Sequence, residues 1–264
     1  MADILNDRLI VVHPNAAGCT DEEFALLRRQ GLGASDASIY LGLQTKWRDT
    51  EDLIRNKLSK ELTEDELDMR KKLAPKMGHA TEDLNLQLFS EFMGLTATKD
   101  VKMYKLKDYP YLTINFDGIC TENDKQIPVE AKLVGIFADK YWNFTDWIGR
   151  KITDAQGHIL SAAHDYNGYW DASPAYKGTY FTTSTVLAHC EQAAEIYGIP
   201  AYYYAQIQQQ MLGLDAPYGY FTVLRLKKME HHVFKVWADE WLQKKIVLQG
   251  YRVWERISKR QSLM

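Results

Sequence analysis

The sequence predicts an α/β fold in which one central mixed sheet, an antiparallel meander plus one added strand, is flanked by helices. The first observation is the helical spacing of apolar residues over most of the region 20–94. The second is a set of three short apolar segments between residues 101 and 134, joined by short polar turns. The third is a return of helical spacing after residue 186, interrupted by one strand-like segment at 218–226.

Each element follows from a local pattern. Residues 1–19 are expected to form an irregular arm, and the capping-box pair Thr20 and Glu23 predicts that the first helix begins there. The other helices are predicted at residues 37–41, 49–76 (two amphipathic helices), 78–94, 186–197, 201–212 and 231–257. The strands are predicted at about 101–106, 111–117, 127–134 and 218–226.

Composition limits the class of protein. With 264 residues, 46% hydrophobic and 25% charged, the chain is expected to form one domain over residues 1–264. No apolar run approaches the roughly 20 residues of a membrane span, and the first residues do not resemble a signal peptide. Three distant cysteines favour a reducing compartment. The net charge of −3 means that any contact with nucleic acid must come from local basic patches.

Three charged residues form the most informative pattern of the chain. Glu130 and Lys132 are two apart on a predicted strand, so their side chains share a face while Ala131 faces the core. Asp117 ends an earlier apolar segment beside Gly118, where its carboxylate can lie next to Glu130. Two carboxylates and one ammonium on a sheet face suit a divalent metal site with a positioned water, and such a site suits phosphodiester hydrolysis.

The triplet alone has an alternative interpretation. Glu130 and Lys132 could form an ion pair on an exposed sheet face with no catalytic role. The same acid-x-Lys spacing also occurs at Asp100 and Lys102, which lack an upstream Asp-Gly pair and lie among other lysines. We therefore interpret that second triplet as the solvated start of a strand.

Three further segments accompany the triplet in the sequence. They are an arginine, glycine and Ser-Asp segment at residues 28–37, a helix at 78–89 that contains Glu82, and a glutamine-rich helix at 204–211. Together, in this order, the four segments resemble the PD-(D/E)XK nuclease superfamily, and more narrowly its lambda-exonuclease and YqaJ-like viral recombinase family of phage alkaline exonucleases. The resemblance covers roughly residues 24–226 and implies a restriction-endonuclease-like core.

The resemblance implies a role for each residue of the catalytic group. Asp117, Glu130 and the carbonyl of Ala131 would hold Mg²⁺ or Mn²⁺, and Glu82 would contribute directly or through water. Lys132 would orient the attacking water, help to deprotonate it and offset charge in the transition state. Glu82 could instead be an exposed helical acid paired with a neighbour.

The resemblance also implies contacts from the glutamine-rich helix. Gln208, with Gln206, would hydrogen-bond near the scissile phosphate or Lys132. Because residues two apart on a helix diverge, only one of them is expected to point into the site, and Gln208 is the preferred one. Gln209 and Gln210 are expected to be solvated.

A second group of residues matches the binders of a terminal 5′-phosphate in the family. Arg28 and Ser35 would take this role, which suits a guanidinium fork, a hydroxyl and the N–H groups at a helix start. Two other interpretations stay open: Arg28 on the wet face of a surface helix, and Ser35 as an N-cap of the short helix.

The region between Lys132 and Gln206 is longer than in compact members of the family. It contains an apparent aromatic-rich insertion at about residues 135–185, with most aromatics between Tyr141 and Phe181. The insertion could form a lid or subdomain with its own small core. Alternatively, it could be a stacking platform for unpaired bases at a melted DNA end or for a single-stranded product.

By resemblance, the chain is a metal-dependent deoxyribonuclease that digests linear double-stranded DNA from an end, 5′ to 3′, in phage-type recombination. The family implies a phage or prophage protein in the cytoplasm of a bacterial host, a single-strand-annealing partner protein and a homo-oligomer, commonly a trimeric ring. One alternative is an endonuclease of the restriction, nicking or junction-resolving kind, which would cut closed circles. A second is a catalytically silent DNA-binding module, in which loss of Lys132 would change nothing.

Overall fold

The structure, a computed structural model, describes residues 7–43, 48–62, 72–136, 138–142, 144, 167–171 and 185–264. Its strands are β1 Leu9–His13, β2 Leu32–Gly33, β3 Thr98–Lys99, β4 Met103–Leu106, β5 Leu112–Ile114, β6 Gly118–Glu122, β7 Lys125–Val134, β8 Asn167–Asp171, β9 Tyr218–Arg225 and β10 Glu230–Trp237. Its α-helices are α1 Asp21–Arg28, α2 Ala37–Tyr40, α3 Thr50–Leu58, α4 Leu73–Met93, α5 Val186–Tyr197, α6 Ala201–Leu214 and α7 Glu240–Gln261. Most of the aromatic insertion, including its possible lid or platform, lies outside the described residues.

The predicted fold class is confirmed: a mixed sheet is flanked by helices. Six strands pair in the order β3-β6-β7-β9-β10-β8. Within this sheet β3, β6 and β7 are antiparallel, and β9 is the added strand, parallel to β7. The expectation of a single sheet is wrong, because β4 and β5 join β1 and β2 in a second sheet of order β1-β4-β5-β2.

Three assignments of individual elements are also wrong. The expected irregular arm contains β1, whose residues pair with β4. The strand predicted at 111–117 ends at Ile114, and a separate strand, β6, begins at Gly118 to form a tight hairpin with β7. Residues 231–237 are the strand β10 and not the start of the last helix, because they pair with β9 along their whole length.

The predicted signals are confirmed at the start of α1 and at the ends of α4 and α5, whereas α4 begins earlier than predicted, at Leu73. The Thr20 hydroxyl accepts a hydrogen bond from the backbone N–H of Glu23, and the Glu23 carboxylate accepts one from the N–H of Thr20, which is the predicted capping box of α1. Helix α4 ends at Gly94 with φ 66°, and α5 ends at Gly198 with φ 71°. Both glycines adopt the left-handed conformation that terminates helices.

Helix α6 connects the two sheets. It contacts β7 of the six-stranded sheet and β5 of the four-stranded sheet, and one hydrophobic cluster includes residues of both. Burial of Ile207 and Met211 on this helix contributes to that cluster. Within the described part of the chain, no helix is both long and apolar enough to cross a bilayer.

Candidate active site

Asp117 lies in the connection between β5 and β6, at one end of the six-stranded sheet. Its Oδ2 accepts a hydrogen bond of 2.9 Å from the backbone N–H of Ala131, which places its carboxylate beside β7. The glycine that follows lies close to helix α4: a Cβ on Gly118 would lie 2.6 Å from Cδ2 of Leu86, so the leucine side chain would have to shift. The Asp-Gly pair therefore brings helix α4, which carries Glu82, against the same strands.

Glu130 and Lys132 project from the same face of β7, as the two-residue period predicts. The Glu130 side chain is 2% exposed, and its Oε1 accepts a hydrogen bond from the Lys132 ammonium. The ammonium also lies 5.1 Å from the ring centroid of Tyr203, on α6. Lys132 is therefore held between a carboxylate and an aromatic face, with 18% of its side chain exposed to the solvent.

Helix α6 supplies two amide groups to the same carboxylate. Gln206 donates a hydrogen bond to Oε1 of Glu130, and Gln210 donates one of 2.6 Å to Oε2. The Gln210 amide also donates to the carbonyl of Asn115, at 3.2 Å. Residues four apart share a helix face, so the four-residue spacing of Gln206 and Gln210 was the sequence signal that places both on the same side of α6.

Two expectations for this helix are corrected. Gln208 does not reach Glu130: its amide donates to the carbonyl of Trp237 at 2.8 Å and its carbonyl oxygen accepts from the N–H of Asp239 at 2.8 Å. Gln209 and Gln210 are fully buried and not solvated. The Gln209 amide donates to the carbonyls of Leu32 and Thr113 at 2.9 and 3.1 Å, because this face of α6 packs on the four-stranded sheet.

Glu82 approaches the group from helix α4. Its carboxylate accepts a hydrogen bond of 2.7 Å from His79, lies 3.9 Å from the Lys99 ammonium and is 20% exposed. Asn85, one turn later, donates hydrogen bonds of 3.0 and 2.9 Å to the carbonyls of Lys132 and Thr222. This asparagine, which sequence reasoning missed, attaches the helix of Glu82 directly to the strand of Lys132.

The electrostatics of the site are those of crowded carboxylates. Burial and the charges of Glu130 and Glu82 raise the pKa of Asp117 to about 7, against a smaller opposing effect of Lys132. Burial lowers the pKa of Lys132, but the charges of Glu130 and Asp117 outweigh it and raise that pKa above its usual value. Lys132 is thus a fixed cation, and the site still carries excess negative charge when Asp117 ionises.

We expect Asp117→Asn to stabilise the metal-free protein at pH 8. The raised pKa means that the folded state holds the Asp117 proton more tightly than the unfolded state, so stability falls as pH rises from about 4 to about 7. A shift of this size corresponds to on the order of a few kcal/mol at pH 8. Thermal unfolding in EDTA at pH 5 and pH 8 measures this change in stability. The rise in melting temperature of Asp117→Asn over the unmodified protein should be larger at pH 8.

The matched control for that measurement is Asp108→Asn, which removes the same charge from an exposed position. It should change the melting temperature little and equally at both values of pH. An Asp117→Asn variant that is destabilised at pH 8 would contradict the crowding of carboxylates at this site.

The oxygen atoms of this group fit a hard divalent cation. Only Oδ2 of the Asp117 carboxylate accepts a hydrogen bond among the described residues, so Oδ1 is available, and a cation would relieve the repulsion that raises its pKa. Among the residues the structure describes, no three His, Cys, Asp or Glu side chains are grouped as a metal site by themselves. A cation held by Asp117 and Glu130 would therefore need the Ala131 carbonyl and water as further ligands, with Glu82 in an outer position.

Arg28 and Ser35 form a second polar group, at the end of α1 and the turn after β2. The Arg28 guanidinium donates a hydrogen bond of 2.7 Å to the Ser35 hydroxyl and lies 3.6 Å from Oδ1 of Asp36. Behind them, the buried Lys57 ammonium lies 2.7 Å from Oδ2 of Asp36 and donates to the carbonyl of Arg28 at 2.7 Å. Asp36 and Lys57 fix this segment, whereas the Arg28 side chain is 43% exposed.

Comparisons with known proteins agree with this architecture. An alkaline exonuclease from Laribacter hongkongensis aligns with a TM-score of 0.54 and 11% identity, over 91% of this chain and 95% of that one. The same exonuclease in complex with dAMP aligns equally well, over 94% of its chain, and both alignments reflect a shared fold. No curated protein matches the sequence. The family model for the YqaJ-like viral recombinase domain matches residues 23–151. Residues 23–151 are therefore similar to the YqaJ-like viral recombinase domain, the family that the sequence motifs resemble.

Proposed function

We propose that this protein is a metal-dependent deoxyribonuclease that hydrolyses linear double-stranded DNA from a 5′ end. The observation that carries the proposal is the convergence of Asp117, Glu130 and Lys132 at one end of the six-stranded sheet. The solved structures with a similar fold are those of an alkaline exonuclease, free and in complex with dAMP, which supports a deoxynucleotide substrate. The matched recombinase domain supports a role in phage-type recombination.

The proposed cofactor is Mg²⁺ or Mn²⁺, held by Asp117, Glu130 and the Ala131 carbonyl, with Glu82 acting through water. When bound, the ion would lower the pKa of water and neutralise charge on the phosphate. The chain itself provides the orientation: Gln206 and Gln210 fix both oxygens of Glu130, and Asn85 fixes the backbone of Lys132. Lys132, a permanent cation, would hold the attacking water and offset charge as the phosphate reacts.

The proposed 5′ polarity rests on Arg28 and Ser35. Their contact leaves a half-exposed guanidinium and an exposed hydroxyl side by side, which is the donor set that binds a terminal phosphate. The Asp36 carboxylate offsets only part of the Arg28 charge, because the Lys57 ammonium already neutralises that carboxylate. A single-strand-annealing partner, a ring-shaped homo-oligomer and the cytoplasm of a bacterial host are proposed on the family resemblance alone.

The decisive experiment compares three DNA substrates in Mg²⁺ and in EDTA: a linear duplex with 5′-phosphate ends, the same duplex with 5′-hydroxyl ends, and a covalently closed circle. We expect magnesium-dependent loss of the phosphorylated duplex and little loss of the other two. Arg28→Ala should lower kcat/KM on the phosphorylated duplex by roughly 10- to 100-fold, the size of one charge-assisted hydrogen bond. It should leave the hydroxyl-ended duplex unchanged.

Arg55→Ala is the control for that variant, because Arg55 is an exposed arginine on α3 with 71% of its side chain accessible. It should behave as the unmodified protein on all three substrates. Cleavage of the closed circle would identify an endonuclease instead. If Arg28→Ala lowers kcat/KM by the same factor on both linear substrates, so that the preference for the phosphorylated end is kept, Arg28 has no end-sensing role and the nuclease assignment stays in place.

A further inference from the structure

A cavity of about 610 Å³ lies next to the candidate active site. Its wall includes Lys140 and Tyr141 from the segment after β7, Glu191 and Glu195 from α5, and Tyr202 from the first turn of α6. The cavity opens widely to the solvent, so a planar ring can reach its wall from the surface. Nothing in the catalytic group described above uses this cavity.

Aromatic contacts connect the cavity to Lys132. The rings of Tyr202 and Tyr203 lie with their centroids 4.4 Å apart, and the Lys132 ammonium lies 5.1 Å from the Tyr203 centroid. One tyrosine therefore faces the catalytic lysine, and its neighbour in the sequence lines the cavity. These two rings would therefore lie between a ligand in the cavity and the Lys132 ammonium.

The wall that carries Tyr141 is anchored to the sheet. Trp142 is buried, with its ring centroid 5.3 Å from that of Phe234 and 5.6 Å from that of Tyr203. On the other side, the Arg225 guanidinium donates two hydrogen bonds to the buried Asp139, one of them 2.9 Å long. Tyr141 lies between these two anchored residues and nevertheless stays 53% exposed.

The charged side chains of the cavity wall indicate whether a phosphate or a nucleobase would bind there. Lys140 is one cation, with its ammonium 5.0 Å from the Tyr141 centroid, and it is opposed by the two exposed carboxylates Glu191 and Glu195. This balance disfavours a phosphate inside the cavity. It suits an uncharged nucleobase, whose face stacks on tyrosine and whose exocyclic amino groups donate to carboxylates.

We propose that this cavity binds one unpaired nucleobase of the strand that is cut, next to the scissile phosphate, with Tyr141 and Tyr202 as its stacking residues. The inference rests on the proposed nuclease function and adds a base-binding subsite to it. The phosphate of that nucleotide stays outside, on the side of Lys132. Separation of the terminal base from its complement is then part of substrate binding.

The experiment uses duplexes with a 5′-phosphate that carry either normal nucleotides or one abasic residue at the first or second position of the cut strand. For the unmodified protein we expect kcat/KM to fall by roughly 5- to 100-fold with one of the abasic ends, the size of one stacking contact. Tyr141→Ala and Tyr202→Ala should lose a similar factor on the normal end and little more on the abasic end.

Tyr251→Ala is the matched control, since Tyr251 is a tyrosine of α7 with the same 53% exposure as Tyr141. It should retain the full difference between normal and abasic ends. If Tyr141→Ala and Tyr202→Ala also retain it, the base-binding subsite is wrong. A loss of equal size on both ends would assign these tyrosines to stability alone and would also overturn the inference.

A second measurement separates this inference from the nuclease function. A single-stranded oligonucleotide that contains 2-aminopurine is mixed with the protein in EDTA, where no hydrolysis is expected. Quenching of its fluorescence by the unmodified protein and by Tyr251→Ala, and not by Tyr141→Ala or Tyr202→Ala, is the expected result. If the protein quenches the fluorescence but never degrades DNA, the base-binding subsite is retained and the proposed nuclease function is refuted. If it degrades DNA without quenching, the nuclease function is retained and the subsite is refuted.

Discussion

Replacing Lys132 by methionine should lower the rate of DNA hydrolysis by about 10²- to 10⁴-fold, with little change in KM. The physical reason is that the ammonium is the cation fixed at the point where Asp117 and Glu130 converge, so its charge acts on the reacting phosphate and water. Methionine retains most of the length of the side chain and removes the ammonium that lies over the Tyr203 ring. Single-turnover hydrolysis of a phosphorylated linear duplex in Mg²⁺ measures the effect.

The sequence supplies its own control for this variant. Lys102 belongs to the second acid-x-Lys triplet, where Asp100 accepts a hydrogen bond from the backbone N–H of Lys102 and from the hydroxyl of Tyr104. Lys102→Met should leave the rate within a factor of about three, because Lys102 lies outside the group formed by Asp117, Glu130 and Lys132. Lys132→Arg provides a variant that keeps the charge if Lys132→Met unfolds. Full activity in a folded Lys132→Met protein would refute the catalytic role, and so would a Lys132→Arg protein that is folded but no more active than Lys132→Met.

The placement of Glu130 and Lys132 on one face could be predicted because it depends only on the two-residue period of a strand. The partners of Glu130 could not, since Gln206 and Gln210 are about 80 residues away and reach it through the packing of α6 on β7. That helix contains several glutamines, and only their positions around the helix axis determine that Gln206 points toward Glu130 and Gln208 does not.

The strand β10 was missed for a different reason. Its second and third residues are His231 and His232, two polar side chains that the structure buries at 3% and 5% exposure. Burial lowers the pKa of His231 to about 4, so the ring is neutral, and its Nε2 shares a hydrogen bond of 2.7 Å with the Thr222 hydroxyl on β9. Because both faces of this strand are covered, it has no alternation of polar and apolar residues, and its period is ambiguous.

The second large effect is expected on stability. Lys57→Met should lower the free energy of unfolding by about 3–5 kcal/mol, because it leaves the carboxylate of Asp36 buried without its main partner. The side chains of Lys57 and Asp36 are 3% and 7% exposed, and their ion pair is 2.7 Å long. Burial raises the pKa of Asp36, but the charges of Lys57 and Arg28 outweigh it and lower that pKa. Without Lys57 the pKa should rise, so the variant should be less destabilised at acidic pH.

Urea unfolding of three variants tests this assignment together with its consequence for the 5′ end. Lys244→Met is the control, since its pair with Glu240 is 79% and 86% exposed, and it should change stability by less than about 0.5 kcal/mol. Asp36→Asn combined with Lys57→Met removes the unpaired buried charge of Asp36 and should recover part of the lost free energy of unfolding.

Because Lys57 also binds the carbonyl of Arg28, both Lys57 variants should weaken the preference for phosphorylated ends even where they remain folded. A Lys57→Met protein as stable as Lys244→Met, with an unchanged end preference, would show that the buried pair does not organise Arg28 and Ser35.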